Sequence, residues 1–127
     1  MNILKQVCTY NQAVSLLAAG IEHHTTWYWM KKKTGAIGLC IRDHLKELQH
    51  EAEAVYPAYS VAELLEVMGD HVAVFKEKGN YSCSVHKSNY AVPDIKGGFE
   101  FFIVKSDKSA AEAVAAMFII LRKYGLI

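Results

Sequence analysis

Residues 71–87 read HVAVFKEKGNYSCSVHK. Apolar and polar side chains alternate through HVAVFKE, Lys78-Gly79-Asn80 has the composition of a tight turn, and YSCSVHK alternates again. A period of two on both sides of a glycine-containing turn is the pattern of an antiparallel hairpin. Ser88 to Gly98 then reads as a polar loop with Pro93 and two adjacent glycines, and FEFFIVK (99–105) as a third strand.

On either side of these strands the period becomes that of a helix. A helix is expected to begin at Ser60, with Glu63 three residues on, and to stop at Gly69; another begins at Ser109, with Glu112 three residues on, and stops at Gly125. Near the N-terminus, Thr9 with Gln12 and a stop at Gly20 repeat the arrangement. Each start matches a capping box, in which the hydroxyl takes a free amide and the longer side chain bonds back to the cap. Each glycine can supply the left-handed residue that ends a helix. In the last helix Ala113, Met117, Ile120 and Tyr124 form one stripe with Val114, Phe118 and Leu121 beside it, broad enough for heavy burial on a sheet. In VAELLEVM, Val61, Leu64, Leu65 and Met68 share a face.

The stretch 21–33, IEHHTTWYWMKKK, looks at first like a site. Thr25 to Met30 are β-branched, aromatic or apolar, which favours a strand. Lys33-Thr34-Gly35 can turn the chain, and AIGLCI (36–41) can return as a partner strand. Trp27 and Trp29 then share one face, Tyr28 and Met30 the other. A further helix is expected between about Asp43 and Ala54, interrupted at Tyr56-Pro57. The fold expected is α+β: a single domain over 1–127 in which helices pack on an antiparallel sheet. Residues 1–55 give a helix, an aromatic hairpin and an acidic helical segment; residues 56–127 give an α-β-β-β-α unit.

Composition narrows the function classes. At 52% hydrophobic and 21% charged the 127-residue chain is globular. Its net charge of +1 lacks the basic excess typical of a nucleic-acid binder. The sign varies along the chain: residues 43–70 hold one basic and seven acidic side chains, an acidic middle between mildly basic ends, read as a solvated helical face. Cys8, Cys40 and Cys83 are odd in number and far apart, which fits a reducing cytosol. Ala13 to Ala19 is too short and too polar at its flanks for a secretory core, and no segment approaches the ~20 apolar residues of a membrane span. The expected location is cytoplasmic, away from membranes.

Candidate chemistry is sparse. His23-His24 are adjacent, so on a strand they diverge; Glu47-x-x-His50 is half of a di-iron motif without its second copy. Cys83 and His86 differ by three positions, the wrong parity for a dyad on one strand. No phosphate loop, dinucleotide fingerprint or GxSxG elbow occurs. Neither metal nor cofactor is expected, and no catalytic residue is assigned. Thr9 to Lys33 has the outline of a helix-turn-helix, but TTWYWM is a poor recognition helix and a good strand. The aromatic residues Trp27, Tyr28, Trp29, Tyr56 and Tyr59 are types that anchor protein interfaces, and equally types that build a small core. Lys31, Lys32 and Lys33 extend the candidate surface toward phosphate, or guard a strand against edge pairing.

Two resemblances add to this. The order of elements from Ser60 to Gly125, with SDKSAAEAVAAMFIIL (106–121), resembles the double-stranded-RNA-binding domain. That family meets phosphates with lysines at the start of this helix; here Ala110, Ala111 and Glu112 stand there, and Lys108 alone comes close. CTYNQAVSLLAAGI (8–21), YPAYSVAELLEVM (56–68) and AAEAVAAMFIILRKYGLI (110–127) are similar to segments of small uncharacterised proteins encoded by phages and prophages of gut bacteria. WYWMKKKTG (27–35) is bulkier and more basic than that family implies. The resemblance implies a mobile-element setting and no particular activity. The expected function is that of a non-catalytic accessory protein binding another protein, through Trp27, Trp29, Lys31, Lys32 and Lys33. Nucleic-acid binding is the alternative.

Overall fold

Hydroxyl side chains start three of the four helices in the computed structural model, which describes residues 3–21, 25–68, 72–86, 101–125 and 127. Thr9 and Gln12 close a reciprocal capping box ahead of α1 (Tyr10–Ala18), with bonds of 3.1 and 3.2 Å. Ser60 and Glu63 do the same ahead of α3 (Val61–Met68), at 2.9 and 3.3 Å. The start of α4 (Ala110–Lys123) departs from the expected box. Ser109 accepts from the Glu112 amide, but the Ser109 amide donates to the Ser106 hydroxyl instead of to Glu112. Gly20 and Gly125 take positive φ just past α1 and α4, as a helix stop requires. Gly69, expected to end α3, lies outside the described residues, as does the loop expected at 88–98.

The described residues build two antiparallel three-stranded sheets. In the second, β4 (Val72–Glu77), β5 (Asn80–His86) and β6 (Phe101–Ser106) lie in sequence order. Lys78 and Gly79 both adopt positive φ, the two-residue turn whose twist matches flanking strands, so Asn80 already pairs with Glu77. With α3 and α4 this is the expected α-β-β-β-α order.

The first sheet corrects one expectation. No long helix fills 43–54: a 3-10 turn (Arg42–His44), one turn of α2 (Leu45–Leu48) and a second 3-10 turn (Gln49–Glu51) lead into a strand, β3 (Ala52–Pro57). β1 (Trp27–Lys32) lies between β2 (Ile37–Ile41) and β3 and pairs antiparallel with both. The free side of β1 offered more to residues 52–57 than helical propensity did, because every backbone donor there needed a partner. Since β2 and β3 run the same way on opposite sides of β1, the 42–51 segment must cross a face of the sheet. Met30 and Cys40, 4% and 7% exposed, are buried outside the main core cluster.

The main core gathers on α4. Ala111, Ala113, Val114, Ala115, Met117, Phe118 and Leu121 are buried, whereas Tyr124 is 44% exposed. The buried arc therefore centres on Val114, Phe118 and Leu121, and the stripe expected to run on to Tyr124 leaves the core at the last turn. α4 packs on β4, β5, β6, α1 and α3. Leu16 of α1, Leu64 and Met68 of α3, and Cys83 and Val85 of β5 join the cluster, with Cys8, Ala13, Ile21 and Tyr59.

Replacing Phe118 with Ala is expected to cost about 3–5 kcal/mol, through lost transfer energy and the cavity left behind. Tyr124→Ala should stay within about 0.5 kcal/mol. Urea denaturation of both variants checks the contrast; equal losses would place the core elsewhere.

Candidate functional site

The aromatic stretch of β1 divides between anchoring and support. Trp29 packs against the main core, and its indole N–H donates to the Cys8 carbonyl at 2.8 Å. The Tyr10 ring stands edge-on to Trp29 (6.3 Å between centroids) and to Tyr56 (5.5 Å). These contacts, with the Cys8 amide bonding to the Tyr59 carbonyl at 2.8 Å, join the first sheet to α1. Tyr59 is buried in the core. Trp27 is half-buried at the head of β1, opposite Ile41.

The lysines are balanced by acids from the neighbouring strand and turn. Lys31 lies 3.8 Å from Glu53 and Lys32 3.9 Å from Glu51, both in exposed pairs that stabilise little but neutralise charge. Lys31 and Lys32 are the last two residues of β1. Lys33, in the turn, has an exposed side chain. Its amide donates to the Glu51 carbonyl at 3.0 Å.

A feature without side-chain chemistry stands out beside them. The Lys32 amide bonds to the Ala36 carbonyl, and the Arg42 amide to the Thr26 carbonyl, both at 2.8 Å. With the β1–β2 register this fixes the hydrogen-bonding phase: Gly38 and Cys40 face β1 with their N–H and C=O groups, and Ile37, Leu39 and Ile41 turn theirs outward. Among the described residues β1 is the strand that pairs with β2, and β2 packs extensively on no other described element. None of its residues is charged, and Ile37 is 48% exposed.

The other described edges are guarded. β3 carries Glu53 and Pro57; the register turns Pro57 outward, where a missing N–H removes a docking donor. β4 carries Lys76 and Glu77, and β6 carries Lys105. Sequence reading identified AIGLCI as a strand but not as an edge. That status follows from β3 taking the other side of β1. The clue in the sequence is the lack of any charge between Lys33 and Arg42.

Other candidate chemistry stays dispersed among the described residues. No three His, Cys, Asp or Glu side chains gather as a metal site requires. His23 and His24 lie outside the described residues. Burial pushes the Cys8 thiol up to about 11 and the Cys83 thiol to about 12, so neither is a ready nucleophile. A cleft of about 400 Å³ between the N-terminal 3-10 turn (Ile3–Lys5) and the start of α4 sets Lys5 and Lys108 beside Asp107 and Glu112. Its charges cancel, which leaves Lys108 a poor phosphate contact. No described helix is long and apolar enough to cross a membrane.

Comparison with protein-family models, with curated proteins and with solved structures finds no match.

Trp29→Phe keeps an aromatic ring but deletes the donor to the Cys8 carbonyl and part of the packing. It is expected to cost about 1–3 kcal/mol, the usual penalty for stranding a part-buried acceptor. Lys31→Ala should cost less than about 1 kcal/mol. Thermal denaturation of the two variants checks this; a larger loss at Lys31 would reverse their roles.

Proposed function

We propose that this is a non-catalytic binding protein whose partner is another protein, and that the partner contributes a strand along β2. The observation that carries this reading is the edge itself: uncharged, with the backbone groups of Ile37, Leu39 and Ile41 turned outward. A strand added there gains main-chain hydrogen bonds for affinity and alternate side chains for specificity. Trp27 borders the contact through its register with Ile41, while Trp29 anchors the sheet behind it. The setting we infer is the cytoplasm, in an accessory role within a mobile genetic element, as the resemblance of the three helical segments implies. Nucleic-acid binding is the less supported proposal, because Glu51 and Glu53 answer the charges of Lys32 and Lys31.

Selection of displayed random peptides against the immobilised protein tests the reading. Enriched peptides should alternate apolar and polar residues. They should lose binding to an Ile37→Pro variant, which removes an outward N–H without touching the ladder to β1, and should keep binding to Phe75→Ala. Peptides that bind Ile37→Pro equally well, or no enrichment at all, would contradict it. Saturable, salt-sensitive binding of duplex RNA abolished by Lys33→Ala would favour the alternative.

A further inference from the structure

We infer that the strand β2 accepts is β2 of a second copy, giving a two-fold dimer with one continuous six-stranded sheet. This rests on the proposed role of β2 as a pairing edge and names its occupant.

The argument starts from phase. In an antiparallel pair the paired positions sum to a constant, and hydrogen-bonded pairs form where both residues turn their backbone groups toward the partner. The outward set of β2 is Ile37, Leu39 and Ile41. A two-fold axis through Leu39 sets Ile37 opposite Ile41, Leu39 opposite itself and Ile41 opposite Ile37. All three positions then exchange hydrogen bonds at once. A two-fold interface requires this self-complementarity: the same patch must serve as both halves.

Side chains agree with the register. Ile37, Leu39 and Ile41 share a face, so apolar residues meet apolar residues across the axis, and the exposed Ile37 gains cover from Ile41 of the other copy. On the opposite face Gly38 meets Cys40, a small pair that leaves the strands free to approach. No two like charges are opposed.

Charge at the ends is complementary as well. The same register brings Arg42 and Asp43 of one copy beside Ala36 and Gly35 of the other. There a hollow of about 400 Å³ is lined by Lys32, Lys33, Thr34, Ala36 and Glu51, which offers both signs. Lys33 is available to Asp43, and Glu51, already paired with Lys32, adds negative charge near Arg42.

Closure follows from the guarded edges. Once β2 is used, the sheet order becomes β3-β1-β2-β2-β1-β3, and both new ends are β3 with its Pro57 and Glu53. Assembly stops at two copies. An edge of five residues is far below the roughly 20–30 residues a side of a stable interface, so the dimer is weak and depends on concentration.

Sedimentation equilibrium of the full chain over a broad concentration series tests this, with far-UV circular dichroism to verify folding of each variant. The wild type should pass reversibly from one chain to two. Ile37→Lys should raise the dissociation constant by about tenfold or more, since each cross-strand change counts twice at a two-fold. The double variant Ile37→Lys with Ile41→Glu should recover dimer, because the register faces each Lys with a Glu of the other copy. Failure of that recovery overturns the Leu39-centred register, and a dimer indifferent to Ile37→Lys overturns β2 as its interface. A mass of one chain at every concentration overturns self-pairing. In that last case, selected peptides that still depend on Ile37 leave the edge reading standing, and peptides that do not depend on it remove both.

Discussion

Helix α4 has to be covered on most of its circumference, and the rest of the fold is arranged to do it. Seven of its residues are buried, on more than one face of the helix. One sheet can cover only one side of such a helix, so β4, β5 and β6 take that side and α1 and α3 take the remainder. The inner face of β5 supplies Cys83 and Val85, and α1 and α3 supply Leu16, Leu64 and Met68. The polar termini of these helices follow the same logic. The Gln12 side chain closes its own cap and also donates to the Glu112 carbonyl at 2.8 Å, which ties α1 to α4. Arg122 returns the tie at the other end, donating to the Ala19 carbonyl at 3.0 Å beyond α1.

With the core centred there, the first sheet is peripheral. It is attached through Trp29, Tyr56 and the 7–8 and 59–60 backbone pairing, all on the side of β1 and β3. β2 is the strand farthest along that sheet from the attachment. Its outer side has no structural duty in the described fold, and an uncharged edge is tolerated there. A strand of Ile, Gly, Leu, Cys and Ile exposed in this way is also a hazard, since any extended chain can pair with it. The proposed pairing of two copies would remove the hazard by using the edge.

Much of this fold could be read from the sequence where signals were local. The hydroxyl starts of α1, α3 and α4, the alternation over the described residues 72–86 and the Lys78-Gly79 turn each depend on a few neighbouring residues, and each sits where its pattern indicates. What escaped was set by distant partners. AEAVYP carries helix formers at Ala52, Glu53 and Ala54, and became β3 because β1 had an unpaired side. Glu112 has the right spacing for a capping box, yet Ser106, brought in by the end of β6, took the bond. The aromatic stretch 27–29 was legible as a strand, but its division into an anchor at Trp29 and a border at Trp27 depends on Cys8 and Tyr10 from another element. The edge of β2 was the least legible, because an edge is a statement about what does not pair, and sequence patterns report pairing strength rather than pairing order.

The most direct measurement of the central claim is residue-resolved amide hydrogen exchange through β2, in dilute and in concentrated solution. An alternation is expected: Gly38, Cys40 and Arg42 protected in both, held by β1, and Ile37, Leu39 and Ile41 fast in dilute protein but slow in concentrated protein. Uniform protection along the strand, or exchange at Ile37, Leu39 and Ile41 that ignores concentration, would contradict it.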